Sequence, residues 1–332
     1  MKRLIGALLA FGLLAALPGC STSPTAITVN GRGVDAAELA FYLEYNRLNM
    51  ENKQSSTQLD ISDPAVVEEV KQTALDQITT AEIVLEKCDE FGLKLSAEDK
   101  EQLAETKDYL VESHGGKAGY LKFLRDSAMT DRVYDKFQSN ANYYDLLYDY
   151  LVGDSGQYAM NDEALRQFFA ENYAEMQYIR LSLQDEAGDA IASSAAGRQL
   201  TQAQDVLAQA QQPGADFKQL LGLYNDDTYM SANADGVVMT KAQCAGSPQF
   251  EKLFSLKDNE IGGVFEGADG YYIVKRLPLS AAYFDQNKDA IQQEARDAKF
   301  SELLDGWKSA AKVTTSGTFD KMNLKNLWDY VK

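Results

Sequence analysis

Histidine is almost missing. The 332 residues contain one, His114, so metal sites built from several imidazoles and machinery needing two of them are excluded. Cysteine is scarce too, at three residues, which rules out a dense disulfide framework. Basic residues are outnumbered, 32 Lys and Arg against 50 Asp and Glu. The resulting formal charge of −18 argues against nucleic acid, whose phosphates demand a basic face. No apolar run reaches the roughly 20 residues of a membrane-spanning helix. What is present is the usual globular balance, 45% hydrophobic and 25% charged, in a chain long enough for two or three domains.

The start of the chain reads as an address. Lys2 and Arg3 precede an apolar stretch from Leu4 to Leu17, a suitable signal-peptide core. Leu17-Pro18-Gly19-Cys20 resembles a bacterial lipobox, in which the cysteine receives lipid before cleavage. The resemblance implies a signal peptide over 1–19, lipidation at Cys20 and a short tether over 20–26. It places the mature chain on the extracytoplasmic face of the bacterial cell membrane, with that lipid as its membrane contact. An ordinary secretory signal with an incidental cysteine is the alternative. With Cys20 acylated, Cys88 and Cys244 would form one bridge or stay as two buried thiols.

The next part reads as mainly helical. Ile27-Thr28-Val29 suggests a short strand, Asn30-Gly31 a turn with positive φ, and Asp35 a helix cap. Asp63-Pro64 starts a helix whose Val70, Ala74, Ile78 and Leu85 form one apolar stripe, with Gly92 as its C-cap. Ser96 and Asp99 resemble a capping box. His114-Gly115-Gly116 interrupts the next helix, with His114 read as an exposed turn residue. Met129 to about Val152 is helical and crowded with tyrosine, either for packing or for an aromatic cleft that holds extended chains. Asn161 caps a further helix.

Beyond it the pattern changes. Residues 176–183 alternate, with Ile179 and Leu181 on one side and Tyr178, Arg180 and Ser182 on the other. Two helices, a strand near Val237, a helix near Phe250, a turn at Asp258-Asn259 and a strand over Gly270-Tyr271-Tyr272-Ile273-Val274 follow. This β-α-α-β-α-β order predicts a compact α+β module. The segment after Pro278 is helical again, so the module reads as an insertion, with the C-terminal helix returning to the N-terminal helices.

In this order the chain resembles the extracytoplasmic foldases of the PrsA and SurA kind, helical chaperones carrying a parvulin-type peptidyl-prolyl isomerase module. The resemblance rests on Val29-Asn30-Gly31, Phe91-Gly92-Leu93-Lys94-Leu95-Ser96, Gly115-Gly116, Gly214-Ala215-Asp216-Phe217, Phe254-Ser255-Leu256-Lys257 and Gly270-Tyr271-Tyr272-Ile273-Val274. It implies a helical chaperone domain over 27–173, a parvulin-like domain over 174–279 and a returning helical segment over 280–332. Carried over by position, the family's two histidines fall on Tyr178 and Tyr272, and its central acidic or Cys residue falls on Asp227. Those three are the catalytic candidates. The proline-pocket phenylalanine falls on Phe250, the pocket methionine on Gln243 or Met239, and the pocket leucine on Asp235.

Rotation about an X-Pro bond needs no obligatory proton transfer; its barrier of roughly 18–20 kcal/mol is amide resonance. Tyrosine hydroxyls could therefore stand in for imidazoles, provided an apolar seat for the ring survives. No cofactor or metal is expected. The implied partners are unfolded or partly folded secreted polypeptides, basic ones favoured by the acidic surface, and a homodimer is compatible with the same architecture. A non-catalytic holdase is the close alternative. A solute-binding lipoprotein is a more distant one, since it would need two α/β lobes.

Overall fold

A computed structural model describes residues 23–53 and 59–331. The expected signal peptide and Cys20 lie outside the described residues. The chain begins with β1 (Thr25–Val29), β2 (Arg32–Asp35), α1 (Ala36–Lys53), α2 (Pro64–Phe91), α3 (Ala97–Ser113), α4 (Lys117–Asp126), α5 (Asp131–Val152) and α6 (Asp162–Asn172). There follow β3 (Tyr173–Ser182), α7 (Ser193–Ala210), α8 (Phe217–Tyr224), α9 (Thr228–Ala232) and β4 (Val237–Thr240). Two short helices, α10 (Lys241–Cys244) and α11 (Pro248–Glu251), run into a 3-10 turn over Lys252–Ser255. The chain closes with β5 (Ile261–Glu266), β6 (Gly270–Leu277), α12 (Ala281–Gln286), α13 (Lys288–Ala310), β7 (Val313–Thr315) and α14 (Gly317–Lys321). Contacts divide it into two compact units, one of residues 159–298 and one of the segments on either side, with the division inside α13.

The helical unit starts from a hairpin. Asn30 (φ 49°) and Gly31 (φ 86°) both adopt the positive φ that a two-residue turn between twisted strands requires. Strand β7 pairs antiparallel with β1, and the Asn30 side-chain oxygen accepts from the Lys312 N–H at 2.8 Å. The chain's end thus returns to its beginning, as the sequence order implies. Helix α2 is bounded by Asp63, which accepts from the Ala65 N–H, and by Gly92 in the left-handed region; α3 opens on the Ser96–Asp99 capping box. Val70, Ala74 and Ile78 of α2 bury against Leu39 and Leu43 of α1. Farther along α2, Val84 and Cys88 join Leu147, Leu151 and Phe300. Each fully buried leucine stabilises by about 1.5–3 kcal/mol.

Two details differ from the sequence reading. His114 is not an exposed turn residue: it ends α3 half-buried, with Nδ1 2.8 Å from the Leu110 carbonyl oxygen and its ring against Phe123. The tyrosines of α5 divide between roles, Tyr134 buried in the core and Tyr144 exposed.

The second unit is a four-stranded antiparallel sheet in the order β4-β3-β6-β5. The sequence suggested three strands; β5 is the fourth, forming a hairpin with β6. Gly262-Gly263 within β5, at an irregularity in its register, dilutes the β-branched signature that would have revealed it. Helix α6 packs with this unit, because Leu165 and Phe169 bury against Phe284 and Ile291. Cys88 and Cys244 are both buried free thiols, so the bridge is not formed. Both sheets are wholly antiparallel, unlike the lobes of a solute-binding protein.

A buried charge cluster holds the helical unit in register. Lys136 on α5 donates to Glu38 on α1 at 2.8 Å and to Glu82 on α2 at 2.5 Å, both carboxylates being almost inaccessible. Glu82 also accepts from Arg32 at 3.0 Å. Burial pushes the Glu38 carboxyl above its ordinary 4.5, and Lys136 opposes that shift. Removing the ammonium leaves buried negative charge unpaired, so Lys136→Met should lower stability at neutral pH by about 3–5 kcal/mol. The folded-state pKa of Glu38 then rises further above its unfolded value. The penalty should therefore be absent below about pH 4.5 and grow as pH rises through the folded pKa. Urea midpoints of wild type and variant across pH check this; a pH-independent deficit would contradict it.

Candidate functional site

The pairing of β3 with β6 decides which side chains meet. Tyr178 stands opposite Val274 and Arg180 opposite Tyr272, and side chains opposite one another in an antiparallel pair share a face. Arg180 uses its main chain elsewhere: its N–H donates to the Asn225 side chain at 2.8 Å, and its carbonyl accepts from the Asp226 N–H at 2.8 Å. The Arg180–Tyr272 pair is thus the non-hydrogen-bonded kind, in which opposing side chains lie closer. Asn225 and Asp226 occupy the stretch of the β3 edge that β4, paired only with residues 173–176, leaves open. The next residue, Asp227, is carried to the same edge.

Three aromatic rings gather on this face. Tyr178 and Tyr272 lie 5.7 Å apart between centroids, and Phe250, arriving on α11, lies 5.4 Å from Tyr178 and 5.5 Å from Tyr272. The tyrosines are buried and Phe250 is half-buried. The opposite face of the sheet carries Ile179, Leu181 and Ile273, all buried in the module's core with α7 and α8 residues. On that face the Lys275 ammonium lies 5.8 Å from the centre of the Phe217 ring.

Around the rings runs a polar lattice. The Tyr272 hydroxyl donates to Asp269 at 2.7 Å, and Arg180 donates to the other Asp269 oxygen at 2.5 Å. The Arg180 guanidinium is also 3.6 Å from Asp227. Burial raises the Tyr178 hydroxyl pKa, and the charge and hydrogen bonding of Asp227 raise it further. Burial, and then Asp269, do the same for Tyr272. Both remain neutral hydroxyls at physiological pH, with their single protons directed to these carboxylates. Burial alone would push Asp269 up, yet the bonds from Tyr272 and Arg180 prevail and hold it below the ordinary carboxylate range. Gly270 belongs to the same construction: a Cβ there would stand 2.7 Å from Arg180 Cγ and 2.8 Å from the Leu181 carbonyl oxygen.

Of the residues chosen from sequence, Tyr178, Tyr272, Phe250 and Asp227 therefore come together. Asp227 also has a local duty, capping α9 by accepting from the Met230 N–H at 2.8 Å. Met239 lies on the same face but on edge strand β4, paired with Ala174 and so four residues from Tyr178 along β3. Gln243 is exposed and engaged in the capping box of α10, where its side-chain oxygen accepts from the Thr240 N–H at 2.9 Å. Asp235 is exposed and ion-paired with Lys218. Sequence reasoning missed Arg180 and Asp269. Arg180 carried a signal, since it alternates onto the side of Tyr178; Asp269 carried none, being a turn residue until the β5–β6 hairpin is known.

The unit is an antiparallel four-strand sheet with helices on one face and an aromatic, hydroxyl-lined cluster on the other, an α+β module. Residues 160–277 match the family model of the PPIC-type PPIASE domain. Among solved structures the chain is similar to the foldase protein PrsA of Streptococcus pneumoniae (20% identity, 80% of this chain and 94% of that one, TM-score 0.30). It is also similar to the peptidylprolyl isomerase PrsA of Bacillus anthracis (14% identity, 71% and 96%, TM-score 0.35). A third match is one of two SurA-like chaperones of Campylobacter jejuni (9% identity, 88% and 99%, TM-score 0.31). A search of curated proteins finds no match.

The lattice makes a pH prediction. A carboxyl held below its unfolded pKa contributes stability above that unfolded value and loses it as pH falls through the folded one. Asp269→Asn should therefore flatten the dependence of the melting temperature on pH below about pH 4. An unchanged acid limb would show that the Arg180–Asp269–Tyr272 contacts contribute nothing.

Proposed function

We propose that this protein is a lipid-anchored extracytoplasmic foldase that holds unfolded secreted polypeptides and turns prolyl bonds slowly at the Tyr178–Tyr272–Phe250 cluster. The observation that carries the reading is that these rings and Asp227 share one face of a domain matching the PPIC-type isomerase family. Phe250 supplies an apolar surface for a proline ring, and the tyrosine hydroxyls, whose protons go to Asp227 and Asp269, keep oxygen lone pairs that can accept from a peptide N–H of the bound chain. The chemistry asks for no proton transfer, so neutral tyrosines suffice.

The seat for the ring is thin. Gln243 and Asp235 are turned to other tasks and Met239 lies along the strand, which leaves Phe250 as the apolar anchor. Low catalytic power is the expected consequence, since about 1.4 kcal/mol lost at the transition state is already tenfold in rate. The lipid anchor rests on Leu17-Pro18-Gly19-Cys20 alone. Among the described residues no helix is long and apolar enough to cross a membrane.

Cis/trans relaxation of a prolyl peptide is the direct test. The wild-type protein should accelerate it, Phe250→Ala should reduce the acceleration by at least about tenfold, and Asp227→Ala should reduce it less. Suppression of client aggregation should survive both substitutions. No acceleration by the wild type, with aggregation still suppressed, would leave a holdase without catalysis.

Membrane attachment has its own check. In cells, Cys20→Ser should move the protein from the membrane fraction to the soluble extracytoplasmic fraction and abolish labelling by a fatty acid. Retention at the membrane would reject the anchor.

A further inference from the structure

The helical unit contains two neighbouring cavities. One, of about 430 Å³, lies between α1, α2 and α5, with Tyr42, Tyr45, Phe137 and Tyr144 as aromatic walls and Asp76 and Asp145 among its lining. The other, of about 420 Å³, lies between α1, α3, α4 and α5 and is walled by Leu48, Tyr109, Leu110, Phe123 and Met129. Tyr45 and Phe137, 6.0 Å apart between ring centroids, line both and form the ridge between them. Tyr45, Leu48 and Tyr109 stand 39%, 42% and 73% exposed, so the ridge and the apolar cavity open to solvent.

The two cavities differ in chemistry. The apolar one suits a bulky hydrocarbon or aromatic side chain. The other combines ring faces, which carry partial negative charge, with two carboxylates and no basic lining residue. That combination attracts a cation. Asp76 is already paired with the Lys308 ammonium at 2.5 Å, so Asp145, exposed at the lining, is the carboxylate left for an incoming cation. Tyrosine walls also bury the aliphatic stem of Lys or Arg while the charged head reaches the rim. A second copy of this chain is a poorer occupant, because its own charge of −18 would bring like charges together.

We propose that this double cavity is the client-reading site of the helical unit. It takes an extended polypeptide segment whose bulky apolar side chain and nearby Lys or Arg enter the two cavities on either side of the Tyr45–Phe137 ridge. This rests on the reading of the protein as a holder of unfolded chains, and adds which segments it prefers and where they bind.

Fluorescently labelled, proline-free peptides test it without engaging the isomerase site. One carries Phe and Arg, a second Phe and Glu, and a third Ser and Arg, all in the same neutral background. With the full-length chain, anisotropy should show the Phe/Arg peptide binding at least about tenfold tighter than either other peptide. Asp76→Asn with Asp145→Asn should reduce the preference for Arg over Glu to within about threefold, and Tyr45→Ala should weaken the Phe/Arg peptide most. Asp145→Lys offers a second variant, expected to reverse the order of the Arg and Glu peptides. Equal binding of Arg and Glu peptides by the wild type would overturn the proposal, as would a preference untouched by the carboxylate variants. Either result alongside suppressed client aggregation leaves the holding function standing; absence of both peptide binding and aggregation suppression removes that function as well. Concentration-dependent dimerisation abolished by Tyr45→Ala would assign the face to a second copy and overturn the proposal too.

Discussion

In the sheet unit, the antiparallel pairing of β3 with β6 sets Arg180 across from Tyr272 and Tyr178 across from Val274. A slip of one residue would send Tyr178 and Arg180 to the face now occupied by Ile179 and Leu181, because strand side chains alternate. Both faces are packed, Ile179, Leu181 and Ile273 on one and Met176, Val274 and the two tyrosines on the other, so a slip would displace fitted side chains on each at a cost of several kcal/mol. Packing on both faces thus holds the polar construction in place. The free edge of β3, filled by Asn225 and Asp226, then delivers Asp227 beside Tyr178 and Arg180.

The lattice on that face is built without imidazole and keeps its hydrogen bonds partly buried. Two phenol hydroxyls, two carboxylates and one guanidinium interlock, with the positive charge of Arg180 set between Asp227 and Asp269 and its Nε left without a partner. Such a cluster is pre-organised, because each side chain is held by a partner of opposite charge or by a packed ring. Its weakness is apolar. Under the proposed prolyl role a proline ring would need hydrocarbon contact, for which Phe250 is the half-buried ring at hand.

Much of this was legible in the chain. The caps at Asp63, Ser96 and Asn161 are local hydrogen-bonding devices, so single residues announce them. The core stripe of α2 follows from spacing alone. Tyr178, Asp227, Phe250 and Tyr272 were found through resemblance in motif order, and their meeting is a tertiary fact no local pattern contains. Strand β5 was illegible because Gly262-Gly263 carries no β preference, and with it went Asp269, whose role depends on the hairpin that β5 makes. The partial burial of His114 is not legible in its own segment because it comes from Phe123, which lies on the following helix. The double cavity beside Tyr45 needs several helices at once, and neither the tyrosines nor the acidic residues of α5 reveal it singly.

The central claim is that the Tyr178 face, and not the opposite one, meets a prolyl chain. Chemical-shift mapping of the isotope-labelled protein with a proline-containing peptide tests it most directly. Shifts should concentrate at Tyr178, Asp227, Phe250 and Tyr272, leaving Leu181, Ile273 and the α7 residues beneath them unmoved. Perturbation confined to the α7–α8 side, or none in the sheet unit at saturating peptide, would contradict it.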